Sequence, residues 1–385
     1  MAENTISEII PEIYEALDIV SRELVGLIPS VTMSASADRA ALNQNIVIDI
    51  EPVGTGVDIT PAMSVPEPTG QTSAGTTMAI TKSRAYEFGF VGEHVKALNT
   101  GVSYSTVRAN KIAQALRGLT NEVETDLSGL HTTFSRAYGT AATTPFATAN
   151  DYTDASEVRR ILKDNGAPQS DVSLVIDTAA GAKYIGKQSA VNSAGTDSIL
   201  RQGVLLDLAG MAVRESAQIK QAVTIGTAAS ATTNSAGYAI GSTTITLAVA
   251  GTGTLIAGDV ITFAGDPNKY VLVSGDADVS GGGTFVLAAP GLRKALAASA
   301  VAITVVAAAT RNMCFARNAV VLLARMPARP VERDLAIDVM SVTDPRSGLT
   351  FEFAMYPGYR KLRYEVSLAW GVKNIKPEHT AILLG

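Results

Sequence analysis

The chain has 385 residues, of which 17% are charged and 5% are aromatic, and its formal net charge is −5. A protein that binds nucleic acid by neutralising phosphates usually carries a basic surplus, so this balance argues against that class. A single cysteine, Cys314, excludes an internal disulfide framework or a cysteine-rich metal site and is predicted to be buried. No run approaches the ~20 apolar residues of a membrane span, and no signal-peptide pattern is present, which favours a soluble intracellular product.

The N-terminal segment predicts an amphipathic arm. Apolar residues at helical spacing, Ile13 and Leu17 among them, predict a helix from Ile10 to Gly26, with Pro11 tolerated in its first turn. Residues 27–43 show no clear pattern. The apolar face of this helix needs another surface to cover it, such as that of a neighbouring chain.

The next segment predicts a long β-hairpin. Strand patterns occupy 45–53 and 76–92, and the 54–75 stretch between them is rich in Gly, Pro, Ser and Thr. An isolated hairpin is marginally stable in water, so this one is also predicted to dock on a partner.

The longest helical pattern runs from Ser105 to Arg136 and predicts a helix of about 45–48 Å. Its apolar stripe consists of Ile112, Leu116, Leu119, Val123, Leu127 and Leu130. A helix of this length is too long for a compact domain to enclose and is predicted to be a strut. Three carboxylates on it, Glu122, Glu124 and Asp126, are predicted to be solvated or to form salt bridges between subunits.

After this helix, the pattern changes to a small α/β unit. A capping box at Asp154–Glu157 predicts a helix from Glu157 to Asn165. Val172–Asp177 reads as a buried strand, Thr178–Gln188 as a helix, and Gly203–Val213 as a strand-turn-strand segment.

From residue 227 to 309 charged residues are rare, and short strands alternate with Gly-rich turns. This pattern predicts a small all-β barrel that interrupts the α/β region. Its predicted strands are Thr243–Val249, Asp259–Phe263, Lys269–Val273, Thr284–Leu287 and Val301–Val306.

The C-terminal part alternates as a β meander from Asp334 to Trp370, with a type II turn predicted at Tyr356–Tyr359. One-sided alternation predicts a sheet that packs on a helix, and the long helix is the expected partner.

Few residues suggest chemistry. Gly181–Gln188 has the glycine and lysine spacing of a phosphate-binding loop, but Gln188 stands where Ser or Thr should bind magnesium, so a surface helix is favoured. His94, His131 and His379 form no metal-binding pair, and no nucleophile elbow occurs. We therefore predict no catalytic site, no cofactor, no metal and no enzymatic activity.

Taken together, the chain resembles the major capsid proteins of tailed bacteriophages with the Hong Kong-97 fold, and in particular the Salmonella podovirus coat-protein branch, which carries an inserted β-barrel domain. The likeness spans nearly the whole chain in order. It is carried by Ile10–Leu17 with Ser21–Gly26, by Gly258–Gly265, and by Trp370–Val372 with Lys376–Glu378 and Ala381–Gly385.

The resemblance implies an α+β capsid fold with an N-terminal arm, an extended loop, a long spine helix, axial and peripheral domains, and an inserted β-barrel. It divides the chain into an arm (1–44), the extended loop (45–98), the spine helix with part of the peripheral domain (99–150), the axial domain (151–222), the inserted domain (223–310) and the axial and peripheral return with the meander (311–385).

The resemblance also implies a structural function. Pentamers and hexamers would close into an icosahedral head around double-stranded DNA held non-specifically, through a procapsid that expands. A scaffolding protein and a portal would be partners, without a membrane, and the virion capsid would be assembled in the bacterial cytoplasm. Inter-subunit contacts are expected at Ile13, Leu17, Lys82, Arg84 and Glu87, and the core of the spine helix at Ile112, Leu116, Leu119, Val123 and Leu127.

Lys82 is a conceivable donor for a lysine–asparagine cross-link, but no acceptor motif is apparent, so we expect no covalent ladder. Two other functional readings remain open at the level of sequence. One is a non-viral or extracellular structural protein, such as a surface-layer protein, and the other is a nucleotide-binding enzyme that uses Gly181–Gln188.

Overall fold

The computed structural model describes residues 25–50, 56, 58–61, 63–64, 74–98, 104–148, 151–187, 205, 207–219, 223–330, 334–344 and 347–385. The predicted arm helix, with Ile13 and Leu17, lies outside these residues except for its last two positions. Most of the predicted hairpin tip and the start of the Gly203–Val213 segment also lie outside them.

The described residues form helices α1 (Gly92–Leu98), α2 (Tyr104–Gly129), α3 (Thr153–Asp164) and α4 (Thr178–Lys187). The strands are β1 (Thr32–Ala40), β2 (Asn45–Ile50), β3 (Ala74–Ala79), β4 (Lys82–Val91), β5 (Arg136–Tyr138), β6 (Val172–Ile176), β7 (Ala212–Glu215), β8 (Thr244–Leu247), β9 (Val260–Phe263), β10 (Lys269–Ser274), β11 (Gly283–Leu287), β12 (Ile303–Val305), β13 (Arg311–Ala316), β14 (Val320–Pro327), β15 (Asp338–Thr343), β16 (Thr350–Gly358), β17 (Lys361–Asn374) and β18 (Thr380–Leu384).

The first sheet is built around β17. Within the described residues its order is β1-β14-β17-β16-β15, and β4 also pairs with β17. The inward side chains of β16 and β17 pack against α2 in the largest hydrophobic core. The core residues contributed by these two strands are Phe351, Phe353, Met355, Tyr364, Val366, Leu368 and Trp370. The sheet therefore packs on the long helix, as the alternation predicts.

The long helix is shorter than its pattern predicts. Helix α2 ends at Gly129, a 3-10 turn follows over Leu130–Thr133, and Arg136 already belongs to β5. The Thr133 hydroxyl donates to the Leu130 carbonyl at 2.8 Å, and such side-chain bonds compete with helical ones. The 26 residues of helix α2 span about 39 Å. Residues Ile112, Leu116, Leu119, Val123 and Leu127 are all buried in the core.

The predicted hairpin is divided between two structures. Strands β2 and β3 form a two-stranded antiparallel sheet, whereas β4 pairs with β17 from Val91↔Lys361 to Lys82↔Trp370. The single strand predicted over 76–92 is therefore wrong, because the chain changes partners at Ile80 and Thr81. Ile80 and Met78 cover the second face of the first sheet at Ala369, so the meander is also packed on that face there.

Two other local predictions need correction. Residues 32–40 form β1, parallel to β14, although no pattern was visible there, because this strand is made of small and polar residues. The turn predicted at Tyr356–Tyr359 lies at Tyr359 and Arg360, since β16 continues to Gly358 and pairs with Lys361. Of the two turn residues only Arg360 has a positive φ, 54°, and this is the position at which a type II turn needs one.

The second sheet joins the α/β unit to the Gly-rich region. Its path among the described strands is β12-β9-β10-β5-β18-β13-β6-β7, with β18 parallel to β5. Helices α3 and α4 pack on it in a second core that includes Cys314, whose predicted burial is confirmed. Helix α3 begins at Thr153, four residues before its predicted start.

The Gly-rich region has a hydrophobic core of its own, which contains Ile245, Phe263, Tyr270 and Phe285. All five of its predicted strands occur, as β8 to β12. Pairing runs from β12 through β9, β10 and β11 to β8. Two isolated β-bridges close this path into a ring. Thr233 pairs with Leu247 at the end of β8, and the adjacent Thr232 pairs with Ala302, which directly precedes β12.

Candidate functional site

The apolar face of α2 is bounded by a carboxylate that joins two strands. Asp126 accepts hydrogen bonds from Lys82 Nζ at 2.7 Å and from Trp370 Nε1 at 2.8 Å. The Trp370 side chain is fully buried, and Lys82 Nζ lies 5.9 Å from the centre of its ring. Because Lys82 begins β4 and Trp370 lies in β17, Asp126 fixes both strands on the helix.

One turn earlier, Glu122 makes a second link to β4. It accepts a hydrogen bond from the Tyr86 hydroxyl at 2.9 Å, and Arg84 Nε lies 3.4 Å from its other oxygen. The hydrogen bond to the Glu122 carboxylate, with burial, raises the pKa of Tyr86. A side chain at Gly118 would overlap the Tyr86 ring, so this glycine allows the ring to lie against the helix.

Glu87 is the third residue of β4 that is expected at an inter-subunit contact. It forms an ion pair with Arg363 of β17. Lys82, Arg84 and Glu87 therefore all have partners within the chain, two of them on α2. Their contact with a second subunit stays a prediction.

The opposite flank of α2 holds a buried carboxylate. Glu124 is 1% exposed and accepts hydrogen bonds from the backbone N–H groups of Leu27 and Ile28, both at 3.0 Å, and from the Ser216 hydroxyl at 3.0 Å. Burial raises the pKa of Glu124 to about 7, although these hydrogen bonds oppose the shift. The expectation that this carboxylate is solvated or bridges subunits is wrong, because it anchors the start of the described chain and the segment after β7.

A further buried carboxylate lies on the second face of the first sheet. Glu352 is 2% exposed, accepts a hydrogen bond from Arg329 Nε at 2.9 Å and forms an ion pair with Arg39. Arg329 also lies 2.6 Å from Asp334. This cluster ties the strands β1 and β16 to the segment after β14. In the sequence Glu352 alternates with Phe351 and Phe353, a pattern that gives no sign of a buried carboxylate.

The segment that resembles a phosphate-binding loop is helical. Gly181, Lys183 and Gly186 lie within α4, and Gln188 lies outside the described residues. The first turn is capped from within the chain, since Asp177 Oδ1 accepts from the Ala180 N–H at 3.1 Å. A side chain at Gly181 would collide with Glu215, so this glycine serves helix packing.

The histidines are dispersed. His94 is exposed, and His131 is buried with Nδ1 2.9 Å from the Ser128 carbonyl. Across the described ranges, no cluster of three or more His, Cys, Asp or Glu side chains is placed to hold a metal ion. None of the helices in that part of the chain is both long and apolar enough to cross a membrane.

One buried cation lacks a partner. Arg311, at the start of β13, is 0% exposed, and its guanidinium forms no hydrogen bond with any described residue. Burial lowers the pKa of Arg311 to about 10, while the nearby carboxylate of Asp259 opposes that shift. Asp259 is itself buried and bonded to the backbone N–H groups of Gly226 and Ile256, both at 2.8 Å.

Replacing Arg311 by Met is expected to raise the free energy of unfolding by about 1 kcal/mol or more, because an apolar chain of similar volume removes a buried charge whose N–H groups form no hydrogen bond. Urea denaturation followed by circular dichroism measures the change. The exposed Arg293 serves as the control, and Arg293→Met should leave the unfolding midpoint unchanged. A lower midpoint for Arg311→Met would contradict this account.

No family model matches the chain, and no curated protein matches its sequence. Solved structures with a similar fold do exist. One is the capsid of the cyanophage P-SCSP1u, at 10% identity and a TM-score of 0.49, with 92% of this chain and 86% of that chain covered. Another is from Mycobacterium phage Che8, at 11% identity and a TM-score of 0.44, covering 89% and 85%.

A third is a virus-like particle from Pyrococcus furiosus, at 10% identity and a TM-score of 0.43, covering 97% of this chain and 98% of that one. At these TM-scores and identities the likenesses assign no function to this chain. A functional proposal has to rest on the architecture and the contacts of the chain itself.

Proposed function

We propose that this chain is the major capsid protein of a tailed bacteriophage, which self-assembles into the pentamers and hexamers of an icosahedral head. The observation that carries the proposal is the order and packing of three elements. Among the described residues, the two-stranded hairpin β2–β3 pairs with no strand of either large sheet. The 26-residue helix α2 lies on the first sheet, whose strands come from segments before and after the helix in the chain. In this proposal these elements would be the extended loop, the spine helix and the peripheral sheet that the resemblance implies.

The remaining parts are assigned in the same way. Residues 1–44 would form the arm, 45–98 the extended loop, 99–150 the spine with part of the peripheral domain, and 151–222 the axial domain. The closed ring of β8 to β12, with a core of its own, supports assignment of residues 223–310 as an inserted β-barrel domain. Residues 311–385 complete the axial and peripheral domains.

In this proposal the protein has a structural role and no enzymatic one. It assembles with a scaffolding protein and a portal in the cytoplasm of the bacterial host, passes from procapsid to expanded head, and encloses double-stranded DNA without sequence preference. The modest net charge supports a shell that does not bind the genome tightly.

The direct test is to express the chain alone and with its native scaffold, and to examine both by negative-stain electron microscopy. Shells or hexameric capsomers are the expected result. A stable monomer that binds labelled ATP would overturn the proposal in favour of a nucleotide-binding protein.

A variant separates assembly from folding. Replacing residues 51–73 by a short Gly-Ser turn should retain the circular dichroism spectrum, because β2 and β3 still pair, and should abolish shells. A second variant with a Gly-Ser replacement of the exposed residues 297–300 in the insert should still assemble. If the hairpin variant forms normal shells, residues 45–98 are not the extended loop between subunits.

A further inference from the structure

The negative charge of this protein is concentrated at its N-terminus. Residues 1–24 contain six acidic side chains and one arginine, a net charge of −5. The other 361 residues therefore carry 30 basic and 30 acidic side chains and are neutral overall. An acidic segment attached to a neutral body is expected to bind where that body presents cations.

Such cations line a cleft of about 180 Å³ next to the start of the described chain. Pro29 and Ser30 form one wall, and Ser173 of β6 lies beside Arg214 of β7 and Arg317 after β13. Asp171 is the only acidic residue among those that line the cleft. Ser173 is buried to 7% exposure and has no side-chain hydrogen bond within the described ranges.

A third arginine, Arg159 of α3, lies next to the wall of this cleft. A side chain at Gly210, in the cleft wall, would collide with the guanidinium of Arg159, so that group contacts the wall although Arg159 is not one of the lining residues. Arg159 donates to Gln169 at 3.3 Å and Arg317 to the Val31 carbonyl at 3.4 Å, both near the limit of a hydrogen bond. Within the described part of the chain, no carboxylate forms an ion pair with any of the three arginines.

We propose that this arginine cleft, lined by Arg214 and Arg317 with Arg159 next to its wall, binds carboxylates of residues 1–24 of the same chain. Planar guanidinium groups are matched to carboxylates, which they can bind through paired hydrogen bonds. Residues 1–24 join the described chain at Val25, four residues before Pro29 in the cleft wall, so the arm starts close to the cleft. Direct attachment gives the arm a high effective concentration at the cleft. This contact is independent of the proposed shell function.

The test uses the full-length, unassembled subunit in dilute solution. Arg22 is the first basic residue of the chain, so trypsin cleavage there releases residues 1–22, which mass spectrometry quantifies. The docked arm of the wild type should be cut slowly. Combined Arg214→Ser and Arg317→Ser should accelerate this cut by about tenfold, the equivalent of ~1.4 kcal/mol. Salt near ~0.5 M should accelerate the wild type and leave the double variant unchanged.

Two controls make the test specific. Arg293→Ser removes an exposed arginine elsewhere and should leave the rate unchanged. Replacing half of the acidic side chains of the arm with Glu12→Gln, Glu15→Gln and Asp18→Asn should also accelerate the cut, and adding the two arginine substitutions should then accelerate it by less than they do in the wild type. Circular dichroism checks that each variant is folded.

Three results would overturn the proposal. One is equal cleavage of the wild type and the double variant. Another is protection that falls on dilution, which would assign the cleft to the arm of a second copy. The last is binding of a labelled DNA duplex that the double variant loses while its arm is cut at the wild-type rate, which would assign the cleft to phosphates.

Discussion

Replacing Leu119 by Asp is expected to abolish folding of the chain and, with it, any assembly. Leu119 is 0% exposed in the core between α2 and the first sheet. Truncating a buried leucine alone costs about 2–5 kcal/mol, and an unpaired buried charge adds about 3–5 kcal/mol. Their sum is comparable with the whole stability of a typical protein, about 5–15 kcal/mol. Soluble yield and circular dichroism measure the result, and Val123→Asp should behave in the same way.

The same helix supplies a matched control. Gln114 is exposed, so Gln114→Asp introduces an identical charge without burying it and should leave folding and assembly intact. Leu119→Met preserves the volume and should cost less than about 1.5 kcal/mol. If soluble Leu119→Asp protein forms shells, α2 is not the packed spine of the subunit.

Local structure followed closely from the sequence wherever burial imposes a regular period. The buried strand at Val172–Ile176, the helix that begins at Thr178, and all five short strands of the Gly-rich region were predicted within a few residues. In each case apolar residues alternate or run continuously between turn-forming residues. The hydrophobic period and the positions of the turn residues therefore indicate the same element.

Partners across long distances could not be predicted in this way, because a period reports which side of an element is buried and not what buries it. Strand β4 pairs with β17, about 280 positions later, although it directly follows a hairpin. Strand β1 has almost no apolar residues and is placed only by its parallel pairing with β14. The end of α2 was missed because Leu130 continues the apolar stripe into the 3-10 turn.

The same limit applies to the candidate site, where buried positions could be predicted but the partners of the side chains could not. The apolar stripe of α2 was identified from its spacing, but its carboxylates were not, since Glu122, Glu124 and Asp126 all resemble surface residues. Their partners come from distant segments, namely Tyr86 for Glu122, Trp370 for Asp126, and the N–H groups of residues 27 and 28 for Glu124. Only the fold shows that one of the three is fully enclosed.

The stability of the protein is expected to depend on the ionisation of Glu124. Burial raises its pKa in the folded chain to about 7, from an ordinary value of 4.5. Between these two values the folded chain binds more protons than the unfolded chain, so raising the pH favours unfolding. The contribution of Glu124 is fully present below pH 4.5 and is lost as the pH rises to about 7. A shift of this size corresponds to about 3 kcal/mol.

Substituting Glu124 with Gln isolates this effect, because an amide does not ionise. Unfolding free energies of the two proteins, measured in urea from pH 4.5 to pH 8, should diverge, with the wild type losing up to about 3 kcal/mol relative to the variant. Other groups with raised pKa values, such as Glu215, affect both proteins equally and cancel in the difference.

Asp126→Asn is the control. Asp126 is a carboxylate on the same helix, but it pairs with Lys82 and keeps 19% of its side chain exposed. Because this variant removes a carboxylate that accepts hydrogen bonds from Lys82 and Trp370, it should be less stable than the wild type at pH 8. Parallel pH profiles for wild type and Glu124→Gln would mean that the Glu124 carboxylate is charged at low cost. The N–H groups of Leu27 and Ile28 and the Ser216 hydroxyl would then compensate fully for its burial, and the junction of the arm with the helix would be insensitive to pH.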